Sequence, residues 1–404
     1  MIEWFPEINW MRSILTLLIS TILLLYWYTR IPSSMPRNIP TVPIYISLLG
    51  LWSDMGQDTI YDRWLRQPLE THGAVKIWFA GRWNVLATRP RFLVDMFRHE
   101  DVYAKAGSQK KIPWSVIAAL ALERPNQRLE ELQTIIKKTL FKPLFFNFPD
   151  LDRYPFLFRQ RKAAFTIMQE FGDLLCTTVL QRTTHQKGTN QNPDGDQVVD
   201  YLDRALKENR ITEEQYRANL KVTFLTAHEN AQQLLNSTFW VLGTNQSIQQ
   251  KLRAEILATG TENPTTDLVN SLPYLFAVIL ELLRLYPPVS QLINRVTTSQ
   301  SVLGGEITIP NHTWVGWNAF GAHTDPNIWG NDCREFIPER WGSDVKSIQG
   351  AVRSKTTQCH FIAFNAHSRK CLGQGFAVLQ VKILLFEMEE WEDLSEVQCM
   401  VFLN

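Results

Sequence analysis

The most uniformly hydrophobic stretch of the chain lies near its amino terminus. Residues 13–29 read SILTLLISTILLLYWYT, carry no charge and approach the ~20 residues that are needed to cross a bilayer. Glu3 and Glu7 precede this stretch, whereas Arg30 follows it. Because Lys and Arg are enriched on the cytoplasmic side of membrane spans, residues 1–30 are predicted to form a single-pass anchor with the rest of the chain in the cytosol.

A cleaved signal peptide is the alternative interpretation of the same stretch. Signal peptides begin with basic residues, have a shorter apolar region and end at small residues that mark the cleavage site. Here acidic residues come first, and no small-residue cleavage site follows residue 29. The pattern therefore favours an anchor.

Prolines define the next segment, at positions 32, 36, 40 and 43. Each proline fixes φ and removes a backbone hydrogen-bond donor, so a helix is excluded. Residues 31–43 are predicted to be a stiff tether, and residues 44–404 a globular domain.

Beyond the tether, hydrophobic periodicity predicts a mainly α protein with small β-sheets. Two strands, Ala74–Trp78 and Trp83–Ala87, read as a hairpin joined at Gly81. A short helix is expected to begin after Thr88, with Pro90 in its first turn. The other helices are predicted at 58–70, 126–147, 160–182, 246–258, 273–285 and 372–389, with a polar loop at 184–196 and short β segments around 301–316.

One helix is predicted to be unusually long. Thr212 and Gln215 form a capping box, and apolar residues continue until Gly243, so the helix would span ~45 Å. Residues 226–230 place the polar run TAHEN in its middle. Buried polar residues are costly unless they are used, so this run is either functional or a polar stripe that faces a groove or water.

Composition narrows the classes of function. The chain has 41 Lys+Arg against 40 Asp+Glu, which leaves no basic field for nucleic acid. An odd number of cysteines without a C-x-x-C pair argues against a disulfide framework and for a reducing compartment. The five cysteines are Cys176, Cys333, Cys359, Cys371 and Cys399.

The strongest chemical signal precedes the last predicted helix. Residues 364–373 read FNAHSRKCLG, and the apolar run GFAVLQVKILLFEM follows after Gln374. At a helix amino terminus, the helix dipole and the free N–H groups favour the thiolate form of Cys371. Arg369 and Lys370 add positive charge beside it.

Two other interpretations fit these residues when they are taken alone. Cys371 could be a buried structural thiol, which is the usual state of a lone cysteine. Cys371 could also bind zinc together with Cys359, His360 and His367, although the short paired-cysteine spacing of zinc modules is missing.

A second signal is the pair Glu281 and Arg284, which share one face of a helix. The spacing alone carries little information, since Glu214 and Arg217 have it too. What distinguishes Glu281 and Arg284 is the order of the motifs that follow. These motifs are Tyr286-Pro287-Pro288, Arg295, and Phe336-Ile337-Pro338-Glu339-Arg340-Trp341.

This set of motifs resembles the cytochrome P450 family, whose haem-binding loop reads F-x-x-G-x-R-x-C-x-G. His367 stands where the family has glycine; at a positive φ this costs roughly 1–2 kcal/mol, although histidine is among the residues that tolerate it. The other four fixed positions match. The resemblance assigns Cys371 to the haem iron as axial ligand, Arg369 to a haem propionate, and Phe364 to shielding of the sulfur, and it matches Gly373 to the final glycine.

The remaining motifs extend the resemblance. Glu281 and Arg284 resemble helix K, and the later segment resembles P-E-R-F, so Glu281, Arg284 and Arg340 would form a structural triad. Arg295 resembles a second propionate ligand. The TAHEN run resembles the oxygen-activation segment A-G-x-(D/E)-T, in a form similar to fungal members of the dityrosine-synthase group. Glu229 would then relay protons, and Asn230 would replace threonine near bound oxygen.

The chain departs from the family pattern at two places. Family members carry a W-x-x-x-R helix that binds a propionate, but here residues 116–120 run directly into 121–125. The sequence after Met388 shows no strands. The alternative fold is therefore an incomplete version of the cytochrome P450 fold, without the helix C region and the carboxyl-terminal strands.

The resemblance implies that residues 44–404 form a haem-binding catalytic domain. Three functions follow for this domain. The first is a haem-thiolate monooxygenase of the endoplasmic reticulum that contains haem b and oxidises a small organic, secondary metabolite. It would use O2 and electrons from an NADPH-dependent cytochrome P450 reductase. The second is oxidative coupling of phenols on aromatic substrates. The third is an inactive, degenerate or mis-spliced chain.

Overall fold

The computed structural model describes the chain in several ranges. These are residues 5–49, 53, 55–105, 142–154, 156–186, 198–261 and 264–388, with four further helical residues at 128, 131, 132 and 135. Both predicted departures from the family pattern, near residue 120 and after Met388, lie outside these ranges, and so does most of the polar loop at 184–196.

Helices make up most of the described chain, and the predicted mainly α fold with small sheets is confirmed. The helices are α1 Phe5–Thr29, α2 Ile44–Ser47, α3 Gln57–Ile60, α4 Arg66–His72, α5 Pro90–Arg98, α6 Pro143–Asn147, α7 Arg159–Gln186, α8 Val198–Lys207, α9 Glu213–Thr244, α10 Gln246–Leu257, α11 Thr266–Ser271, α12 Pro273–Leu285, α13 Ala319–His323, α14 Pro326–Trp329, α15 Val345–Thr357 and α16 Gln374–Glu387. A π turn, Tyr61–Leu65, joins α3 to α4, and 3-10 turns include Pro149–Arg153, Pro338–Trp341 and His367–Arg369.

The described strands form two sheets. They are β1 Ala74–Phe79, β2 Arg82–Ala87, β3 Tyr103–Lys105, β4 Gln291–Thr297, β5 Ser301–Leu303, β6 Ile307–Ile309 and β7 Trp314–Asn318. The larger sheet has the order β1-β2-β7-β4-β3, and β5 pairs with β6 in the smaller one. β2 pairs in parallel with β7, whereas the other neighbours are antiparallel.

β1 and β2 are the predicted hairpin, with Trp78 opposite Trp83. Ala80 and Gly81 both have positive φ, at 51° and 75°, which is the backbone of a tight two-residue turn. The proline-rich segment that precedes the hairpin is not helical, and it lies against β1. Thr41 forms a parallel bridge with Lys76, whose Nζ donates to the Pro36 carbonyl at 2.7 Å.

Helix α1 is the one helix of the described ranges that is long and apolar enough to cross a membrane. Its most apolar window, Arg12–Thr29, has a mean hydropathy of 1.4 and is unburied. The end of α1 contacts the domain. Trp83 Nε1 donates to the Thr29 carbonyl at 2.8 Å, and the Tyr28 hydroxyl donates to Asp150 Oδ2 at 3.2 Å.

The capping box of the long helix is confirmed. The backbone N–H of Gln215 donates to Thr212 Oγ1 at 3.2 Å, and the backbone N–H of Thr212 donates to Gln215 Oε1 at 2.9 Å. The helix ends one residue after Gly243, at Thr244. Because all of these interactions are local, the sequence alone predicted them.

Two local predictions were wrong. No helix runs without a break from 126 to 147, since Lys142 is extended (φ −65°, ψ 133°) and α6 begins anew at Pro143. A proline disfavours the α conformation in the residue before it. The cap of α5 is Arg89 and not Thr88, and no side chain caps that helix.

Helix α12 lies at the centre of the main core. Every side chain from Ala277 to Leu285 is buried, including the charged pair Glu281 and Arg284. A helix that is buried on all sides needs partners all round. These include α9, α10 and α16, and Val381 and Leu385 of α16 belong to the same hydrophobic cluster as α12.

Candidate functional site

The site is built around a buried carboxylate on α12. Arg284 binds Glu281 in a bidentate manner, with Nε to Oε2 at 2.9 Å and Nη2 to Oε1 at 2.7 Å. Arg340 adds a third bond from its Nε to Oε1 at 2.9 Å. The indole of Trp341 donates to Oε2 at 3.0 Å and the backbone N–H of Ile337 to Oε1 at 3.0 Å. Five N–H groups thus converge on one carboxylate.

Arg284 is equally well bonded. Its remaining N–H groups donate to the backbone oxygens of His323 at 2.8 Å, Cys333 at 2.6 Å and Glu335 at 3.1 Å. All five guanidinium N–H groups therefore have acceptors. Bidentate bonding with full satisfaction is what allows a buried ion pair to be rigid. The structure thus brings together the three residues of the predicted triad.

Cys371 lies on a loop immediately before α16. Its backbone N–H donates to the Phe364 carbonyl at 2.8 Å, which closes the loop. Asn365 and His367 have positive φ, at 59° and 53°. The thiol of Cys371 is exposed, and α16 begins three residues later. Cys371 therefore lies just ahead of the amino terminus of a helix, with its side chain accessible.

Two apolar side chains that follow Cys371 in the chain are exposed. Leu372 is fully exposed and Phe376 is about half exposed (53%). Phe364 is partly buried against the core around α12. The backbone of Gly373 does not require glycine (φ −84°), and a Cβ there would lie 3.9 Å from the Cys371 sulfur, an ordinary contact.

Arg295 lies on strand β4 and is buried. Its guanidinium lies over the rings of Phe97 and Trp317, at 5.7 and 5.9 Å from their centroids. Phe97 belongs to α5, which packs against the 3-10 turn His367–Arg369, and Ser368 is hydrogen-bonded to Glu100 after that helix. An accessible thiol and a buried cation, which contacts the same helix as the turn ahead of Cys371, fit haem, since haem needs an axial donor and a partner for its propionates.

The two alternatives for the cysteine loop do not fit this geometry. A structural thiol is buried, whereas Cys371 is exposed. Cys359 shows the contrast, because burial raises its thiol pKa to about 12. Within the described ranges, no group of three or more His, Cys, Asp or Glu side chains could hold a metal ion.

Similarity to known proteins decides the family. The cytochrome P450 family profile matches residues 110–388, more than half of the chain. This chain belongs to the cytochrome P450 family.

Two fungal relatives match over most of their length. Cytochrome P450 monooxygenase xanG of Aspergillus fumigatus is 48% identical over 448 residues, covering 90% of this chain and 83% of the relative. Cytochrome P450-DIT2 of Saccharomyces cerevisiae is 30% identical over 450 residues, covering 90% of both chains. These matches make this cytochrome P450 an oxidoreductase of the monooxygenase type.

A plant relative matches a shorter part. Cytokinin hydroxylase of Arabidopsis thaliana is 35% identical over 167 residues, 41% of this chain and 30% of its own length. Both fungal alignments extend over more positions than the 404 residues of this cytochrome P450. Those relatives therefore contain residues that have no counterpart here.

The remaining predicted site residues lie at the edge of what is described. The backbone of α9 is helical through Glu229 and Asn230, and Asn230 is exposed. The side chains of Glu229 and Arg369 lie outside the described part of this cytochrome P450. The structure therefore brings Glu281, Arg284 and Arg340 together, and it places Cys371 and Phe364 on one loop and Arg295 beside α5.

Two residues of the site were missed by the sequence analysis. Trp341 donates to Glu281, although the family motif has phenylalanine at that position, and only its place next to Arg340 could have pointed to it. His323 is buried between Arg284 and Ile362. No local pattern marks His323, because both of its partners are 39 residues away.

Proposed function

We propose that this chain is a haem-thiolate monooxygenase that oxidises a small organic secondary metabolite. It would use O2 and electrons from NADPH, delivered by a cytochrome P450 reductase. The observation that carries the proposal is the exposed thiol of Cys371 at the start of α16, on a loop closed by its own backbone. Family membership supports the same conclusion.

Each loop residue has a proposed task toward haem b. Cys371 would be the axial ligand of the iron, because its sulfur is accessible and a cysteine binds metal through its sulfur. Haem b bound through a thiolate supplies the chemistry of O2 activation. Arg369 and Arg295 would hold the propionates, and Phe364 would shield the sulfur. Gly373 would keep side-chain bulk away from it.

The long helix would carry the proton chemistry. Glu229 is proposed to relay protons, and Asn230 to donate a hydrogen bond near the reacting oxygen, since an amide both donates and accepts. Both residues lie in the middle of α9, and Asn230 is exposed there, so its amide is accessible to a bound group.

The location proposed is the endoplasmic reticulum membrane. Helix α1 would be a single-pass anchor, with the catalytic domain on the cytosolic side, where the reductase acts. A nearly balanced charge argues against nucleic acid as a partner. The lipid bilayer, the reductase and a small-molecule substrate are therefore the proposed partners.

The test is the absorption of the ferrous protein with carbon monoxide. An anionic sulfur ligand donates charge to iron, so the haem-loaded protein should show the long-wavelength band of thiolate ligation. Cys371→Ser should lose that band. The matched control Cys359→Ala alters a buried thiol twelve residues earlier and should keep it. Haem-loaded wild type without the band, or Cys371→Ser with it, would refute the proposal.

Two alternatives are distinguished by the same preparation. Phenol coupling is supported by the likeness of residues 226–230 to the dityrosine-synthase group, and it predicts dimeric phenols without oxygen inserted from 18O2. An inactive chain is supported by the longer fungal alignments, and it predicts protein that folds but retains no haem.

A further inference from the structure

His323 connects the buried ion pair to the cysteine loop. It ends α13 and has no exposed surface. Its Nε2 lies 2.8 Å from the backbone nitrogen of Ile362, and its Nδ1 lies 3.0 Å from the backbone oxygen of Arg284. The N–H of Ile362 can only donate, so Nε2 must accept. The ring proton is therefore on Nδ1, which donates to the Arg284 carbonyl.

The surroundings keep this ring neutral. Burial lowers the pKa of His323 to about 3; the bond to the Arg284 carbonyl opposes that shift, and the Arg284 charge adds to it. A second ring proton would point at the N–H of Ile362 and would place a cation beside Arg284. Only the neutral form with the proton on Nδ1 fits both partners.

A short series of hydrogen bonds leads from His323 to the cysteine. Ile362, which His323 holds by its N–H, accepts with its carbonyl from the N–H of Asn365 at 3.0 Å. Asn365 is joined by its peptide bond to Phe364. The carbonyl of Phe364 accepts from the N–H of Cys371 at 2.8 Å. The start and the end of the loop are thus fixed relative to Arg284.

A second contact runs parallel to the first. The His323 ring stacks on Phe361, with centroids 5.1 Å apart and planes at 28°. Phe361 packs edge-on against Trp341 at 5.0 Å, and Trp341 donates to Glu281. Residues 361 and 362 are therefore held on two sides by the Glu281 centre, once by a hydrogen bond and once by ring contacts.

We propose that His323 is a positioning residue that fixes the Cys371 loop to the Glu281–Arg284 pair and so sets where the thiolate meets the haem iron. This inference rests on the proposed function. The acceptor nitrogen is the critical atom, because it alone satisfies the buried N–H at the start of the loop. The stacking of the His323 ring on Phe361 adds packing contacts but no directional bond.

The proposal predicts different results for two variants of similar polarity. In His323→Gln the amide oxygen can reach the position of Nε2 and accept from Ile362. The side chain of His323→Asn is one bond shorter, so its amide can serve the Arg284 carbonyl but leaves the N–H of Ile362 unsatisfied. Losing a buried hydrogen bond changes an equilibrium by about tenfold. The matched controls are His360→Gln and His360→Asn, at a half-buried histidine two residues before Ile362.

Two measurements on the full chain test this. In the ferrous carbon monoxide spectrum, His323→Gln should keep the long-wavelength band, and His323→Asn should shift the ratio of long- to short-wavelength forms about tenfold toward the short. Hydrogen exchange of the 362–371 peptide should rise about tenfold in His323→Asn and not in His323→Gln. Both His360 variants should match wild type.

Each other outcome overturns the inference. If the Gln and Asn variants at position 323 keep the band and the exchange protection equally, or lose both equally, His323 does not act through its acceptor nitrogen. A wild type without the long-wavelength band refutes the proposed function instead. Hydrogen exchange still decides the role of His323 in that case, because it does not depend on iron ligation.

Discussion

Glu281 and Cys371 are the two residues on which the site depends, and their surroundings are opposite. Glu281 has no exposed surface and accepts five N–H bonds, whereas the Cys371 thiol is exposed and the residue is held by its backbone. Removing a charge from water is costly, so Glu281 needs every partner it has. A reactive thiol instead needs access and a favourable field.

This difference suggests that the Glu281 centre determines stability and that the cysteine loop determines chemistry. Changes at the Glu281 centre should alter unfolding first and chemistry only as a result. Changes at the cysteine loop should alter chemistry while unfolding changes little. The following expectations test this division, from the largest change in stability to the smallest.

Glu281→Ala should be the most destabilising change. It leaves Arg284 and Arg340 without their carboxylate, and breaking a buried ion pair costs ~3–5 kcal/mol, a large share of domain stability. We expect no haem-loaded protein. Glu214→Ala is the matched control, since exposed Glu214 has the same spacing to Arg217. It should change the free energy of unfolding by less than about 0.5 kcal/mol, measured in urea. A folded, haem-replete Glu281→Ala protein would show that the triad of Glu281, Arg284 and Arg340 is not required for stability.

Acid should weaken the link that His323 provides. The unfolded chain binds a proton at this histidine below a pKa of about 6.5, but the folded chain does so only near 3. Its contribution is complete above pH 6.5 and is lost as the pH falls toward 3, by about 2 kcal/mol at pH 5. His323→Phe should reduce the difference between urea midpoints at pH 7 and pH 5. His360 and His367 have lowered pKa values too, so part of the difference should persist. An unchanged difference would contradict the assignment.

His367→Gly should be neutral or mildly stabilising. The positive φ of His367 is tolerated by histidine but free for glycine, and the gain is up to about 1 kcal/mol. His312→Gly is the matched control, at φ 57° on an exposed turn. Both should raise thermal stability slightly, but only His367→Gly should raise haem occupancy. A clear loss of haem in His367→Gly would show that this histidine contributes to haem binding.

Cys371→Ser should have the smallest effect on stability. The residue is exposed and its backbone bond does not depend on the sulfur, so unfolding of the haem-free protein should change by less than about 0.5 kcal/mol. Circular dichroism melting of haem-free samples measures this. A large loss of stability would mean that the thiol is part of the core.

Features whose interacting residues are close in the chain could be predicted from the sequence, and features that join distant segments could not. The capping box of α9 and the hairpin of β1 and β2 were predictable because their partners are neighbours. The parallel pairing of β2 with β7 and the role of His323 were not, since both join segments far apart in the chain. The spacing of Glu281 and Arg284 equals that of Glu214 and Arg217, and only tertiary packing buries the first pair. Family resemblance, and not local pattern, identified which pair matters.

The end of α1 is fixed to the domain, so the proposed anchor and the domain would move as one unit. Because Trp83 holds the Thr29 carbonyl and Asp150 holds the Tyr28 hydroxyl, a tilt of the helix is passed to the hairpin. Membrane helices adapt to bilayer thickness by tilting. Membrane thickness would then set the angle at which this enzyme stands above the lipid. We expect neutron reflectometry in thin and thick bilayers to record different domain heights, and Trp83→Phe together with Tyr28→Phe to reduce that difference.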